Sequence, residues 1–135
     1  MYYNASMVEQ LTAAAKREQL SGKETFVLHG VTISMYVGDT HVGDIDIEKS
    51  NSFKNADLIS EFEILSPYRG NGYGRRLLKY ALSRSRSRYQ VAYVYPANTR
   101  AKHLFTSFGF KDTGKRETDE RGTVLLLFKR DRYHL

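Results

Sequence analysis

Pro67-Tyr68-Arg69-Gly70-Asn71-Gly72-Tyr73-Gly74-Arg75-Arg76-Leu77 is the stretch on which the reading of this chain turns. Glycines at 70, 72 and 74 alternate with other residues, and arginine stands on both sides. An apolar run, Phe62 to Leu65, leads in, and a helical pattern, Leu77-Leu78-x-x-Ala81-Leu82, leads out. The order is therefore strand, glycine turn, helix. Glycine accepts positive φ and leaves room for a ligand at the main chain. The first turn of the following helix offers unpaired N–H groups and the positive end of its dipole, which together favour phosphate. Arg69, Arg75 and Arg76 add charge at the same end, so the stretch reads as an anion cradle suited to a pyrophosphate. A Walker loop would need Gly-Lys-Ser/Thr, which is missing. The dinucleotide spacing Gly-x-Gly-x-x-Gly also fails, because the sixth position is Arg75 counted from Gly70 and Leu77 counted from Gly72.

Arg69, Gly72 and Gly74 instead carry Arg-x-x-Gly-x-Gly. From Glu61 to Gly74 the chain follows, without a gap, the pattern Glu-Leu-x-Val-x-Pro-x-Tyr-Arg-Gly-x-Gly-x-Gly, except that its proline, Pro67, stands one place late. A second stretch, Asn98-x-x-Ala101-x-x-Leu104-Phe105-x-x-Phe108-Gly109-Phe110, is similar to Asn-x-x-Ala-x-x-Leu-Tyr-x-x-x-Gly-Phe. On these two signatures the chain resembles the GNAT superfamily of acetyl-CoA-dependent N-acetyltransferases.

The resemblance implies a single α/β (α+β) domain over residues 1–135. Its sheet is expected to be mixed but mostly antiparallel, with six or seven strands flanked by about four helices. Acetyl-CoA is the implied co-substrate and an amine the acceptor. Arg69, Gly70, Asn71, Gly72, Tyr73, Gly74 and Arg75 are expected at the pyrophosphate, and Ile64 and Leu65 along the pantetheine arm. Asn98 is expected to cap its helix beside that arm, and Phe105 to lie next to it. Many family members have tyrosine at the position of Phe105, where its hydroxyl protonates the departing thiolate. Phenylalanine has no proton to give, and Tyr95 is the first substitute, ahead of Tyr93, Tyr73, Ser107 or water. Amine attack needs a neutral amine, so a carboxylate near the thioester is a useful proton acceptor. Glu61 and Glu63 are the candidates.

Composition fits this reading. The chain has 135 residues, 41% hydrophobic and 13% aromatic, enough for one domain with a core. Cysteine is absent, which removes disulfides, thiolate zinc sites and a cysteine nucleophile. The four histidines are scattered without metal-ligand spacing, so no metal is expected. No apolar run approaches a membrane span and no secretion signal is visible, which reads as a cytoplasmic protein. The net charge of +6 suits anionic partners. Coenzyme A alone accounts for it, and nucleic acid has only the charge behind it. The second class of function is a protein that keeps the coenzyme fold without transfer and holds an acidic protein or nucleic acid. Acceptor and oligomeric state are not legible.

Elsewhere, residues 5–20 read as an amphipathic helix and Glu24 to Glu48 as strands with turns at Gly30 and Gly38-Asp39-Thr40. In a strand over 57–65, strict alternation puts Phe62 and Ile64 on one face and Ile59, Glu61 and Glu63 on the other. Asp44, Asp46 and Glu48 alternate on one strand face, either as a wet sheet surface or as a receiver for a cationic amine. Helix 74–87 ends in the Arg-Ser repeat Ser83-Arg84-Ser85-Arg86-Ser87-Arg88, read as solvated arginines at a helix C-terminus. Strands over Tyr89 to Tyr95, Phe110 to Thr118 and Thr123 to Phe128 complete the chain, the last two joined by a turn at Asp119-Glu120-Arg121-Gly122.

Overall fold

A computed structural model describes residues 20–134. The helix expected over 5–20 lies outside the described residues, apart from Leu20. Seven strands form one sheet in the order β1-β2-β3-β4-β5-β7-β6. They are β1 (Glu24–His29), β2 (Thr32–Val37), β3 (Thr40–Lys49), β4 (Ala56–Ile64), β5 (Tyr89–Val94), β6 (Lys111–Thr118) and β7 (Val124–Asp131). Every pairing is antiparallel except β4 with β5, so the sheet is mixed and mostly antiparallel, as expected. The parallel pair needs a crossover, which helix α1 (Tyr73–Arg84) supplies. Helix α2 (Thr99–Ser107) follows β5. About four helices were expected; among the described residues there are two α-helices and a 3-10 turn, Ser66–Tyr68.

One sheet face carries the main core. Ile33, Met35, Ile45 and Ile59 from the strands meet Leu77, Leu78 and Ala81 of α1 and Phe105 of α2. The apolar residues of α1 fall at helical spacing, which is why this segment lays one stripe on the sheet. A smaller cluster, Ala56, Val91 and Leu127, lies apart from it with Tyr89 and Tyr93 packed against it.

Helix α1 stops at Arg84, three residues before the expected end, and Ser85 is already extended with φ −75° and ψ 128°. The cause is a buried carboxylate. Asp57 accepts from the Ser85 hydroxyl on one oxygen and from Ser87 Oγ at 2.9 Å on the other. Gln90, fully buried, donates to Ser85 Oγ at 2.9 Å, and Arg130 donates to Gln90 Oε1 at 2.8 Å. Buried polar groups need such partners. The repeat is therefore split: arginines 84, 86 and 88 are exposed, while Ser85 and Ser87 turn inward.

Candidate functional site

β4 and β5 are paired only from Ala56–Tyr89 to Ile59–Ala92, although β4 runs on to Ile64 and β5 to Val94. Where the pairing ends, the β3–β4 register slips. Asp46 faces Ser60 but Asp44 faces Glu63, so Glu61 and Phe62 together oppose Ile45. This is a β-bulge, and Glu61 sits in it at φ 48°, a left-handed conformation that costs a non-glycine residue about 1–2 kcal/mol. The bulge bends β4 away from β5 and opens a gap between their C-terminal halves.

The bulge also resets which side chains share a face. Phe62 and Ile64 pack against the same core as Ile59. Strict alternation had placed Ile59 with Glu61 and Glu63; the inserted residue moves it to the other group. Past the bulge, Leu65 N–H donates to Val42 O at 2.8 Å. Peptide groups alternate sides along a strand, so those of Ile64 point away from β3, into the gap. Of the two residues expected along a pantetheine arm, Ile64 presents its main chain there. Leu65 spends its N–H on the sheet.

The glycine stretch leads from this gap to α1. Gly70 and Gly72 have φ 86° and 80°, and Gly72 is the N-cap residue. Asn71 Nδ2 donates to Tyr68 O at 3.1 Å, folding the loop back on the 3-10 turn. The helix start has no side-chain cap and no acidic residue in its first turn. The first main-chain bond is Arg76 N–H to Gly72 O at 3.2 Å, so the N–H groups of Tyr73, Gly74 and Arg75 have no intrahelical acceptor. They and the helix dipole make a site for an anion. Gly74 sits where α1 meets β4 and α2; a Cβ there would lie 3.5 Å from Ile64 and 3.7 Å from Phe62, in ordinary contact.

The three arginines diverge. Arg69 Nε donates to Ile64 O at 2.7 Å, and its Nη2 lies 3.7 Å from Glu63 Oε1. Arg75 Nη1 donates to Ser107 Oγ at 3.1 Å, with its guanidinium over Phe108. Arg76 donates to Glu24 Oε1 at 2.6 Å, tying α1 to β1, and to Asn71 O in the glycine loop at 3.3 Å.

An open cleft of about 830 Å³ joins the gap and the helix end. Glu63, Ile64, Arg69, Gly70, Gly72, Tyr73, Gly74, Arg75 and Asn98 line it. Asn98 is the N-cap of α2, accepting from Ala101 N–H at 3.1 Å. Glu63 is the expected carboxylate on the wall, its side chain 64% exposed. Glu61 is exposed at the bulge and is not part of the wall. Phe105 is not part of it either: it is buried, edge-on to Phe62 and to Phe110 at centroid distances of 6.2 and 5.0 Å. Tyr73 gives its main chain to the cradle but its ring to the core, and its buried hydroxyl has no partner among the described residues. Tyr95 lies just past β5, its hydroxyl donating to Asp119 Oδ2 at 3.1 Å. That bond, and then the Asp119 charge, holds the phenol above its ordinary pKa. Tyr93 is also raised, by burial first, in the smaller cluster.

Sequence reasoning passed over Arg100 and His103, which line the cleft from α2. Their spacing of three, on the polar side of the Ala101-Leu104-Phe105 stripe, was the available signal.

The sequence profile described as the Acetyltransferase (GNAT) family matches residues 5–110. No curated protein matches the chain by sequence. Among solved structures the chain is similar to Ard1 from Thermoplasma volcanium, at 18% identity and TM-score 0.67, over 97% of this chain and 81% of that one. A Bacillus subtilis acetyltransferase solved in complex with CoA is 14% identical at TM-score 0.65, covering 74% of this chain and 75% of that one. YncA, a putative acetyltransferase from Salmonella typhimurium solved with its cofactor acetyl-CoA, is 19% identical at TM-score 0.63, over 74% of this chain. The match spans 63% of the Salmonella protein. At these identities the structural likeness speaks for the fold, and the profile match over most of the sequence settles the family: the chain belongs to the GNAT acetyltransferases.

Proposed function

We propose that this protein transfers the acetyl group of acetyl-CoA to a primary amine on a protein, peptide or small molecule. The observation that carries the reading is the bulge at Glu61. It parts β4 from β5, turns the Ile64 peptide into the gap, and leaves that gap in line with the uncapped start of α1.

The main-chain N–H groups of Tyr73, Gly74 and Arg75 hold the pyrophosphate, with the Arg69, Arg75 and Arg100 side chains as cations on the wall. The Ile64 N–H donates to the thioester carbonyl and stabilises negative charge as the amine adds. Glu63 takes the amine proton, directly or through water. The bond formed is N–C, the bond broken is C–S, and the thiolate leaves with an ordinary pKa of about 8.5. It therefore tolerates a distant acid, the role left to Tyr95 or water while Phe105 is in the core. No covalent enzyme intermediate is required.

A coenzyme-binding protein without transfer is the second reading, and the burial of Phe105 favours it. Free-thiol release from acetyl-CoA with a panel of amines, run beside calorimetry with the coenzyme, separates the two. Binding with amine-dependent thiol release is the expected result. Binding without release selects the second reading, and absence of binding removes both.

A further inference from the structure

At the end of the sheet opposite the cleft, cations are held in place by aromatic rings. Arg88 lies over Tyr89 at 5.0 Å and Tyr133 at 5.8 Å. Lys129 Nζ is 4.0 Å from the Tyr89 centroid, and Arg132 is 5.5 Å from that of Tyr133. Arg132 N–H donates to Arg88 O at 3.0 Å and its guanidinium to Ser85 O at 3.3 Å, so β7 and the Arg-Ser segment form one surface. Lys111 stands directly across from Lys129 in the β6–β7 ladder. Arg86 is exposed and has no ion pair among the described residues.

Arg86, Arg88, Lys111, Lys129 and Arg132 thus share one end of the molecule, and Asp131 is the one carboxylate paired there among the described residues, with Arg88 at 3.1 Å. Like charges placed opposite one another are unfavourable in a sheet. Rings order such cations without neutralising them, so the field at this surface stays strongly positive. Guanidinium forks suit phosphate oxygens. Tyr133, 66% exposed, adds an aromatic surface that a base can use and a carboxylate chain cannot.

We propose that this end of the protein binds a single-stranded nucleic acid, through its phosphodiester backbone and with a base against Tyr133. The surface is separate from the coenzyme cleft: Tyr89 opens β5 at this surface, and Asn98 on the cleft wall lies past the strand's other end, Val94, which is about 17 Å away at the rise of a strand. The inference therefore stands whether or not the chain transfers acetyl groups.

Anisotropy with a fluorescein-labelled oligouridylate tests it. With four phosphates engaged, log K should fall with log salt at a slope near −3, roughly a 50-fold loss between about 50 and 200 mM. Arg86→Glu with Lys129→Glu, both exposed, should weaken binding at least about tenfold and flatten the slope by about 1.5. Tyr133→Ala should cost at least about fivefold. The glutamine pair Arg86→Gln with Lys129→Gln replaces the glutamate pair should the latter lower the melting temperature. Unchanged affinity in the double variant, a flat salt dependence, or polyglutamate competing as well as oligouridylate at equal charge each overturns the proposal, the last in favour of an acidic protein partner.

Discussion

Glu63 is the carboxylate on the cleft wall, and its neighbour Arg69 reaches it only at 3.7 Å, so the carboxylate stays open to a second partner. If it drains the amine proton, Glu63→Gln should lower kcat by about 10²-fold or more while leaving the KM for acetyl-CoA within a few-fold. Raising the pH supplies free amine without a base, so activity should recover in part on the alkaline side. Glu61→Gln should do much less, because Glu61 is off the wall. Equal losses in the two variants, or a Glu63→Gln enzyme with normal kcat, would remove Glu63 from that role. Gly72 has a different job. Its φ of 80° sets the N-cap of α1, and a side chain there meets Arg76 Nη1 at 2.9 Å. Gly72→Val should cost about 1–2 kcal/mol of stability from backbone strain. It should also abolish coenzyme binding in calorimetry, because the three free N–H groups lose their alignment. Binding retained at wild-type affinity would place the pyrophosphate elsewhere.

Among the elements, β4 is the one whose irregularity shapes the cleft. Its strained residue is the hinge of the gap, and strain of this kind collects at functional sites. Glu61→Gly should relieve the left-handed conformation and be neutral or stabilising by up to about 1 kcal/mol. Glu61→Val should destabilise by about 1–2 kcal/mol or more, since a branched Cβ tolerates that φ poorly. Denaturant unfolding measures both, and a glycine variant clearly less stable than wild type would mean that Glu61 is held by its side chain. This bulge was not legible in the sequence: Ile59, Phe62 and Ile64 all serve one core, but alternation assumes an unbroken strand. The glycine turn and the Asn98 cap were legible, because each rests on a residue type that tolerates few other conformations. The Arg-Ser repeat was legible only by half: its arginines are exposed as expected, but its serines are not simply solvated. Its composition looks solvated, yet Ser85 and Ser87 are the donors that Asp57 requires, a need visible only once β4 and β5 lie side by side. Asp57→Ala should therefore cost about 1–3 kcal/mol by stranding buried donors, and coenzyme affinity at the far end of the strands should not change. A stability loss near zero would mean that water replaces the carboxylate.

For the whole molecule, a net charge of +6 hides a division of signs. Carboxylates Asp44 and Asp46 hydrogen-bond across the β2–β3 surface to Ser34 and Thr32, while cations gather at the helix start and at the far end of β5 and β7. The division makes the pH dependence of folding specific. Asp112, Asp119 and Asp131 all have carboxyls held below the ordinary range, chiefly by Arg116, by the Thr123 N–H and by Arg88 respectively. A carboxylate with a depressed folded pKa contributes stability that is fully present above its unfolded value, about 3.9, and is lost as pH falls through the folded one. Tyr95 works in the other direction: its raised pKa favours the protonated phenol in the fold, and that contribution disappears as pH rises through it. Melting temperature should accordingly be flat near neutrality and drop on both flanks, below about pH 4 and above about pH 10. In Asp131→Asn the neutral-pH value should be lower than in wild type, and the difference should shrink as both proteins are taken below about pH 4, where the stability contributed by a depressed carboxyl starts to be lost. A difference that stays constant across that range would show that the ionisation of Asp131 contributes nothing and that the variant loses stability by setting an amide donor against the Arg88 guanidinium.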